Sequence, residues 1–114
     1  MVLAVSGGYV ISSNVGAPFY GRTTLYARHI SSGAPAWHRT LAPDTRFMAA
    51  DGGAVYVGGR GNLITALAVG TGKTAWTTRL SAPAQAAAAA GDVLYVIDAN
   101  ATVYAIQARP GGPS

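Results

Sequence analysis

Trp37 and Trp76 stand 39 residues apart, and Tyr56 and Tyr95 repeat that interval. Gly52 and Gly91 keep it too, as do Ile64 with Val103 and Leu67 with Ile106. A recurrence near 40 residues means that one supersecondary unit is copied along the chain. The fold is then set by stacking copies whose apolar faces cover one another.

Within each unit the pattern is β. Val55-Tyr56-Val57 and Val93-Leu94-Tyr95-Val96-Ile97 are short β-branched and aromatic runs bounded by Gly or Asp, as buried strands are. Gly58-Gly59-Arg60-Gly61-Asn62 and Asp98-Ala99-Asn100-Ala101 supply the residues of tight reversals with positive φ. Leu63 to Ala68 and Thr102 to Gln107 read as the strands that follow, and Thr71-Gly72-Lys73 turns the chain into a further strand that carries Trp76. The first unit holds Gly7-Gly8-Tyr9-Val10-Ile11, Leu25-Tyr26-Ala27 and Ser32-Gly33 before Trp37. Its Gly7 precedes Gly52 by 45 residues, so the surplus over the period falls in a Gly/Pro/Asn-rich stretch read as a lengthened hairpin loop.

One segment contradicts its own propensity. Gln85-Ala86-Ala87-Ala88-Ala89-Ala90 favours helix. The repeat register nevertheless aligns it with Phe47-Met48-Ala49-Ala50, the first strand of the preceding unit. Six residues are too few for an isolated helix, and small side chains suit a strand where sheets converge on an axis. The segment is therefore read as strand. Each complete unit then has four strands, which is a propeller blade. The expected fold is all-β, a partial β-propeller of just under three blades, each a four-stranded antiparallel sheet. Blade 1 spans residues 1–41 with an inserted loop at 14–23, blade 2 spans 42–80, and blade 3 spans 81–108 and lacks its outer strand. Residues 109–114 form a flexible tail.

The unit resembles the blade repeat of the pyrroloquinoline-quinone-type, or quinoprotein-like, β-propellers. Gly53-Ala54-Val55-Tyr56-Val57-Gly58-Gly59 and Thr71-Gly72-Lys73-Thr74-Ala75-Trp76 carry the likeness. So do Leu25-Tyr26-Ala27 with Ser32-Gly33 and Trp37, and Leu94-Tyr95-Val96 with Val103-Tyr104-Ala105-Ile106. The resemblance implies that the Thr-Gly turn and the Trp dock neighbouring blades, which assigns Trp37, Trp76, Gly33, Thr71 and Gly72 to inter-blade docking. The family often has Asp after its Leu-Tyr-Ala-Leu strand, where this chain has His29, Ala68 and Gln107. Family propellers have seven or eight blades, and this chain supplies just under three. It is expected to be the C-terminal part of a larger bacterial protein, completed by the remaining blades of a parent chain or by self-association.

Composition narrows the function. Half of the residues are apolar and 11% are charged, which suits an ordered chain rather than a disordered one. The absence of cysteine excludes disulfides and thiolate metal sites. The net charge of +4 comes from Arg22, Arg28, Arg39, Arg46, Arg60, Lys73, Arg79 and Arg109, which form no run, so nucleic acid is not an expected partner. No apolar stretch is long enough for a transmembrane helix, and Met1 to Val5 lack the basic start of a signal peptide. No membrane insertion by this segment is expected. The compartment stays open, although relatives are often extracytoplasmic.

Motifs of chemistry dissolve on inspection. Gly70-Thr71-Gly72-Lys73-Thr74 imitates the end of a phosphate-binding loop, but Leu67 stands where that loop needs Gly and a Trp-bearing strand follows instead of a helix. His29 and His38 form no metal-ligand spacing, and His38 follows Trp37 in a strand and so faces away from it. Asp51, Asp92 and Asp98 flank turns, where local bonding accounts for them. The sequon Asn100-Ala101-Thr102 is discounted because the composition is bacterial in character. The expectation is a non-catalytic binding scaffold or sensor segment with no catalytic, cofactor or metal residues. A protein partner would meet elements that break the repeat, namely the loop with Phe19, Tyr20 and Arg22, and the loop at Arg60. The alternative is a fragment of a quinone-dependent dehydrogenase.

Overall fold

A computed structural model describes residues 3–15, 23–41, 45–51, 53–59, 61–90 and 93–107. All regular structure among them is β. Strands β1 (Leu3–Ser6), β2 (Tyr9–Val15), β3 (Thr23–His29) and β4 (Pro35–Thr40) form a first antiparallel sheet in chain order. Strands β5 (Thr45–Asp51), β6 (Ala54–Gly59), β7 (Leu63–Ala68) and β8 (Thr74–Arg79) form a second. Strands β9 (Ala84–Ala90), β10 (Val93–Asp98) and β11 (Val103–Gln107) form a third of three strands. The all-β partial propeller expected from the repeat is what is found.

The 39-residue period is visible as equivalent ladder rungs. Ala4, Ile11, Ala27 and Trp37 lie side by side across the first sheet, and Ala49, Tyr56, Ala66 and Trp76 across the second. Ala88, Tyr95 and Ala105 form the corresponding rung of the third. The outermost pairings share an irregularity. Ala27 faces Trp37 but Arg28 faces Pro35, and likewise Ala66 faces Trp76 but Leu67 faces Thr74. Ala36 and Ala75 are therefore the extra residues of equivalent bulges, which add local twist to the outer strand.

The alanine run is strand β9. Its backbone pairs with β10 from Ala90↔Val93 to Ala84↔Asp98. Ala87 and Ala89 turn towards the second sheet while Ala86, Ala88 and Ala90 face away from it. Strand β5 lies against β1 on one side and β9 on the other, so the small side chains sit where the first strands of the sheets converge. The result is a flattened arc of 40 × 34 × 18 Å.

Two apolar layers hold the arc together. Between the first and second sheets lie Ile11, Leu25, Ala27, Leu41, Val55, Val57, Leu67 and Val69. Between the second and third lie Tyr56, Ile64, Ala66, Trp76, Leu80, Ala84, Leu94, Val96 and Ile106. Each fully buried large side chain contributes about 1.5–3 kcal/mol of transfer free energy, so the sheets are joined mainly by these faces. Among the described residues no backbone ladder joins one sheet to the next.

Candidate functional site

The sheets also lock through a specific seat. The Trp37 indole N–H donates to the Val69 carbonyl, 2.6 Å away on the second sheet. Its ring lies over Gly72, where an added Cβ would sit 2.6 Å from Cε3 and 2.7 Å from Cδ2. Gly72 has φ +74°, and its turn is closed by bonds from the Thr71 and Gly72 N–H groups to Ala68 O and from Lys73 N–H to Thr71 Oγ1. Arg39 completes the grip, donating from one Nη1 to Gly72 O at 2.9 Å and to Thr74 Oγ1 at 3.1 Å. Trp37, Thr71 and Gly72 thus meet at one place. Trp37→Phe keeps most of the ring but leaves Val69 O without its donor, and should lower stability by about 1–3 kcal/mol in denaturant titration.

Trp76 is 8% exposed and lies in the layer against the third sheet, its ring centroid 6.0 Å from that of Tyr56. His38 is exposed on the face opposite Trp37, opposite Tyr26 across the ladder. Gly33 repeats the conformation of Gly72 one unit earlier, again with φ +74°. Its turn has the same bonds: Gly33 N–H to His29 O, Ala34 N–H to Ser32 Oγ, and Ile30 N–H to Gly8 O where Val69 N–H bonds Gly53 O. Among the described residues, however, nothing lies within 4 Å of a Cβ placed on Gly33. Ile30, the counterpart of Val69, is 54% exposed. The first sheet therefore presents the same turn, with no side chain seated on it among the described residues.

The opposite end of the arc is open as well. Tyr95 is 47% exposed and Val103 67%, whereas their counterparts Tyr56 and Ile64 are buried. Ala86, Ala88, Tyr95, Ile97 and Val103 line a shallow depression of about 240 Å³ with hardly any polar surface. Phe19, Tyr20, Arg22 and Arg60, expected to form a binding loop, lie outside the described residues.

One polar site was only partly legible in the sequence. Asp98 is fully buried. Its Oδ1 accepts from the backbone N–H of Asn100 (2.9 Å) and Thr102 (3.0 Å), the expected turn bonding. Its Oδ2 also accepts from Ser81 Oγ and the Tyr104 hydroxyl, both at 2.8 Å, which ties the link between β8 and β9 to the β10–β11 turn. Burial alone would raise the carboxyl's pKa. Hydrogen bonds from Tyr104, the Thr102 backbone, Ser81 and the Asn100 backbone outweigh it and hold the group below the ordinary carboxylate value. All four bonds serve to fix the turn, which also places Ala101 at φ +63°.

Among the described residues no three or more His, Asp or Glu side chains gather as metal ligands. Nor do these residues fit a quinone cofactor with its divalent cation. Arg28 and Arg39 bond backbone carbonyls on different turns, and the buried Asp98 carboxylate accepts from its own turn, from Tyr104 and from Ser81.

Two four-stranded sheets and a third of three strands, the first seated on the second by Trp37 over the Gly72 turn, form part of a β-propeller built of quinoprotein-like repeats. The sequence model of the family described as outer membrane protein assembly factor BamB matches residues 4–113. The chain belongs to that family. No curated protein sequence matches it. Among solved structures it is similar to BamB from Moraxella catarrhalis, with TM-score 0.68 and 18% identity over 95% of this chain and 32% of that one. It is also similar to HIRA(644-1017), with TM-score 0.63 and 15% identity over 91% of this chain and 36% of that one. A europium-containing methanol dehydrogenase gives TM-score 0.62 and 15% identity over 98% of this chain and 24% of that one. At these identities the likeness concerns the fold. The chain spans about a third of the length of the BamB structure.

Proposed function

We propose that the chain is a non-catalytic scaffold segment whose open sheet faces bind protein, either further blades of a longer chain or a separate partner. The observation that carries this reading is the contrast between filled and open positions. Trp37 occupies the Gly72 seat and Tyr56 is covered, while among the described residues nothing fills the Gly33 seat, and Tyr95 is exposed. A surface that repeats a buried one, but lies open, is built to be covered. The docking roles of Trp37, Trp76, Gly33, Thr71 and Gly72, and the blade limits 1–41, 42–80 and 81–108, belong to the same proposal.

The test is the double variant Tyr95→Lys/Val103→Lys. The wild-type chain should self-associate with rising concentration in sedimentation velocity and bind an apolar dye, and the variant should lose both while keeping its circular dichroism. A well-folded wild-type monomer that binds no dye would sink the proposal. A spectral shift on adding pyrroloquinoline quinone with Ca²⁺ would instead favour the dehydrogenase reading.

A further inference from the structure

The open face of the first sheet departs from its two sister faces at specific positions. Arg28 stands where the second sheet has Leu67 and the third has Ile106, both buried against the sheet before them. Ser12, opposite Tyr26, stands where the sister ladders have Val57 and Val96. His38 lies across the ladder from Tyr26, with the ring centroids 6.3 Å apart, and Thr24 and Thr40 join their hydroxyls one rung further on. Among the described side chains, Val5 and Val10, opposite each other and beside Arg28, and Ile30, the counterpart of Val69, keep the apolar character of the sister faces. A face made to receive the Tyr95 type of surface has been given a cation at its apolar centre.

Arg28 is exposed, and among the described residues its one hydrogen bond goes to Gly33 O at 3.1 Å, beside the open seat. Nothing nearby in sequence neutralises it. The first carboxylate side chain of the chain is Asp44, so residues 1–43 carry Arg22, Arg28 and Arg39 with no acidic residue. Among the described residues the opposite open face, with Ala86, Ala88, Tyr95 and Val103, offers no charge, since the Asp98 carboxylate is buried and hydrogen-bonded. Stacking two copies head to tail would therefore bury the Arg28 guanidinium without a counter-ion, which is strongly unfavourable.

We infer that the first sheet's outer face docks a polypeptide that carries a carboxylate opposite Arg28 beside an apolar strip for Val5 and Val10, and that a second copy of this chain is not that partner. The inference rests on the scaffold reading and specifies its partner by charge. Guanidinium and carboxylate pair in a two-pronged geometry, which fixes position as well as sign. The apolar strip distinguishes this partner from a simple polyanion.

The probe is a capped decapeptide of alternating Val and Glu, with the Val-Gln peptide as its uncharged match, titrated into the 114-residue chain and followed by NMR. The Val-Glu peptide should shift the Tyr26 and Arg28 side-chain signals, bind more weakly as salt rises, and lose at least about tenfold in affinity with Arg28→Glu. Arg79→Glu, on the outer strand of the second sheet, should leave binding unchanged. Arg28→Leu, which restores the residue type of the sister sheets, should abolish preference for Glu over Gln and let copies stack head to tail into species larger than those of the wild type. Equal binding of the two peptides, or binding that survives Arg28→Glu, would overturn the inference. So would Arg28-dependent binding of phosphatidylglycerol vesicles or single-stranded DNA without binding of the peptide. Because the scaffold reading is tested at Tyr95 and Val103 without any peptide, its failure and this one are separately visible.

Discussion

Gly72→Ala is expected to lower stability by about 3 kcal/mol, while Gly33→Ala lowers it by about 1 kcal/mol. Both glycines have φ +74°, so each substitution meets the same backbone strain, about 1–2 kcal/mol for an L-residue. The surroundings differ. At Gly72 the new methyl would lie within 3 Å of three Trp37 ring carbons, and that ring is held by its bond to Val69 O and cannot retreat without losing it. Overpacking of this kind costs a further 1–3 kcal/mol, approximately. At Gly33 the methyl enters open space. Urea unfolding of both variants measures the difference directly. Equal losses at the two positions would mean that Trp37 is not seated on Gly72 in solution.

Asp98→Ala is expected to be the most damaging change at a polar side chain, with a fall of about ten degrees in melting temperature. It leaves the Tyr104 hydroxyl, Ser81 Oγ and two backbone N–H groups without their common acceptor in a buried place. Asp98→Asn keeps the shape and one acceptor oxygen, and should cost less. The same bonds make the site acid-sensitive. Because the folded carboxyl titrates below its unfolded value, its contribution is complete above the unfolded pKa of about 3.9 and is lost as pH falls through the lower folded pKa. Melting temperatures of the wild type should therefore fall across that acid window more steeply than those of Asp98→Asn. Parallel curves would show that Asp98 does not titrate there.

The sequence displayed what repeats and hid what does not. The Trp and Tyr echoes sufficed for the blade and its strands, because each signal occurs twice at one interval, whereas the pairing of a Thr-Gly turn with a Trp was implied only by the family resemblance. They also overruled helix propensity at Ala86 to Ala90, where β10 supplies the backbone partners that an isolated alanine run lacks. Asp98 was different. One period earlier the chain has Gly59, so the repeat gave no hint of a buried carboxylate. Its turn contacts were readable locally, but Ser81 reaches it from 17 residues away by way of the packing of two sheets. Positive φ at Ala101 follows the period instead, since Asn62, one period earlier and of a type that tolerates it, has the same φ of +63°. The exceptional character of Arg28 emerges only once its face is known to be the one that buries Leu67 and Ile106.

The placement of Gly72 and Trp76 on a single turn and strand has a mechanical consequence. The turn that receives the Trp of the preceding sheet leads directly into the strand that carries the next Trp, with the Ala75 bulge between them. A displacement of the Gly72 turn at one junction is therefore expected to carry Trp76 with it at the next, so that neighbouring junctions are coupled through one turn and strand.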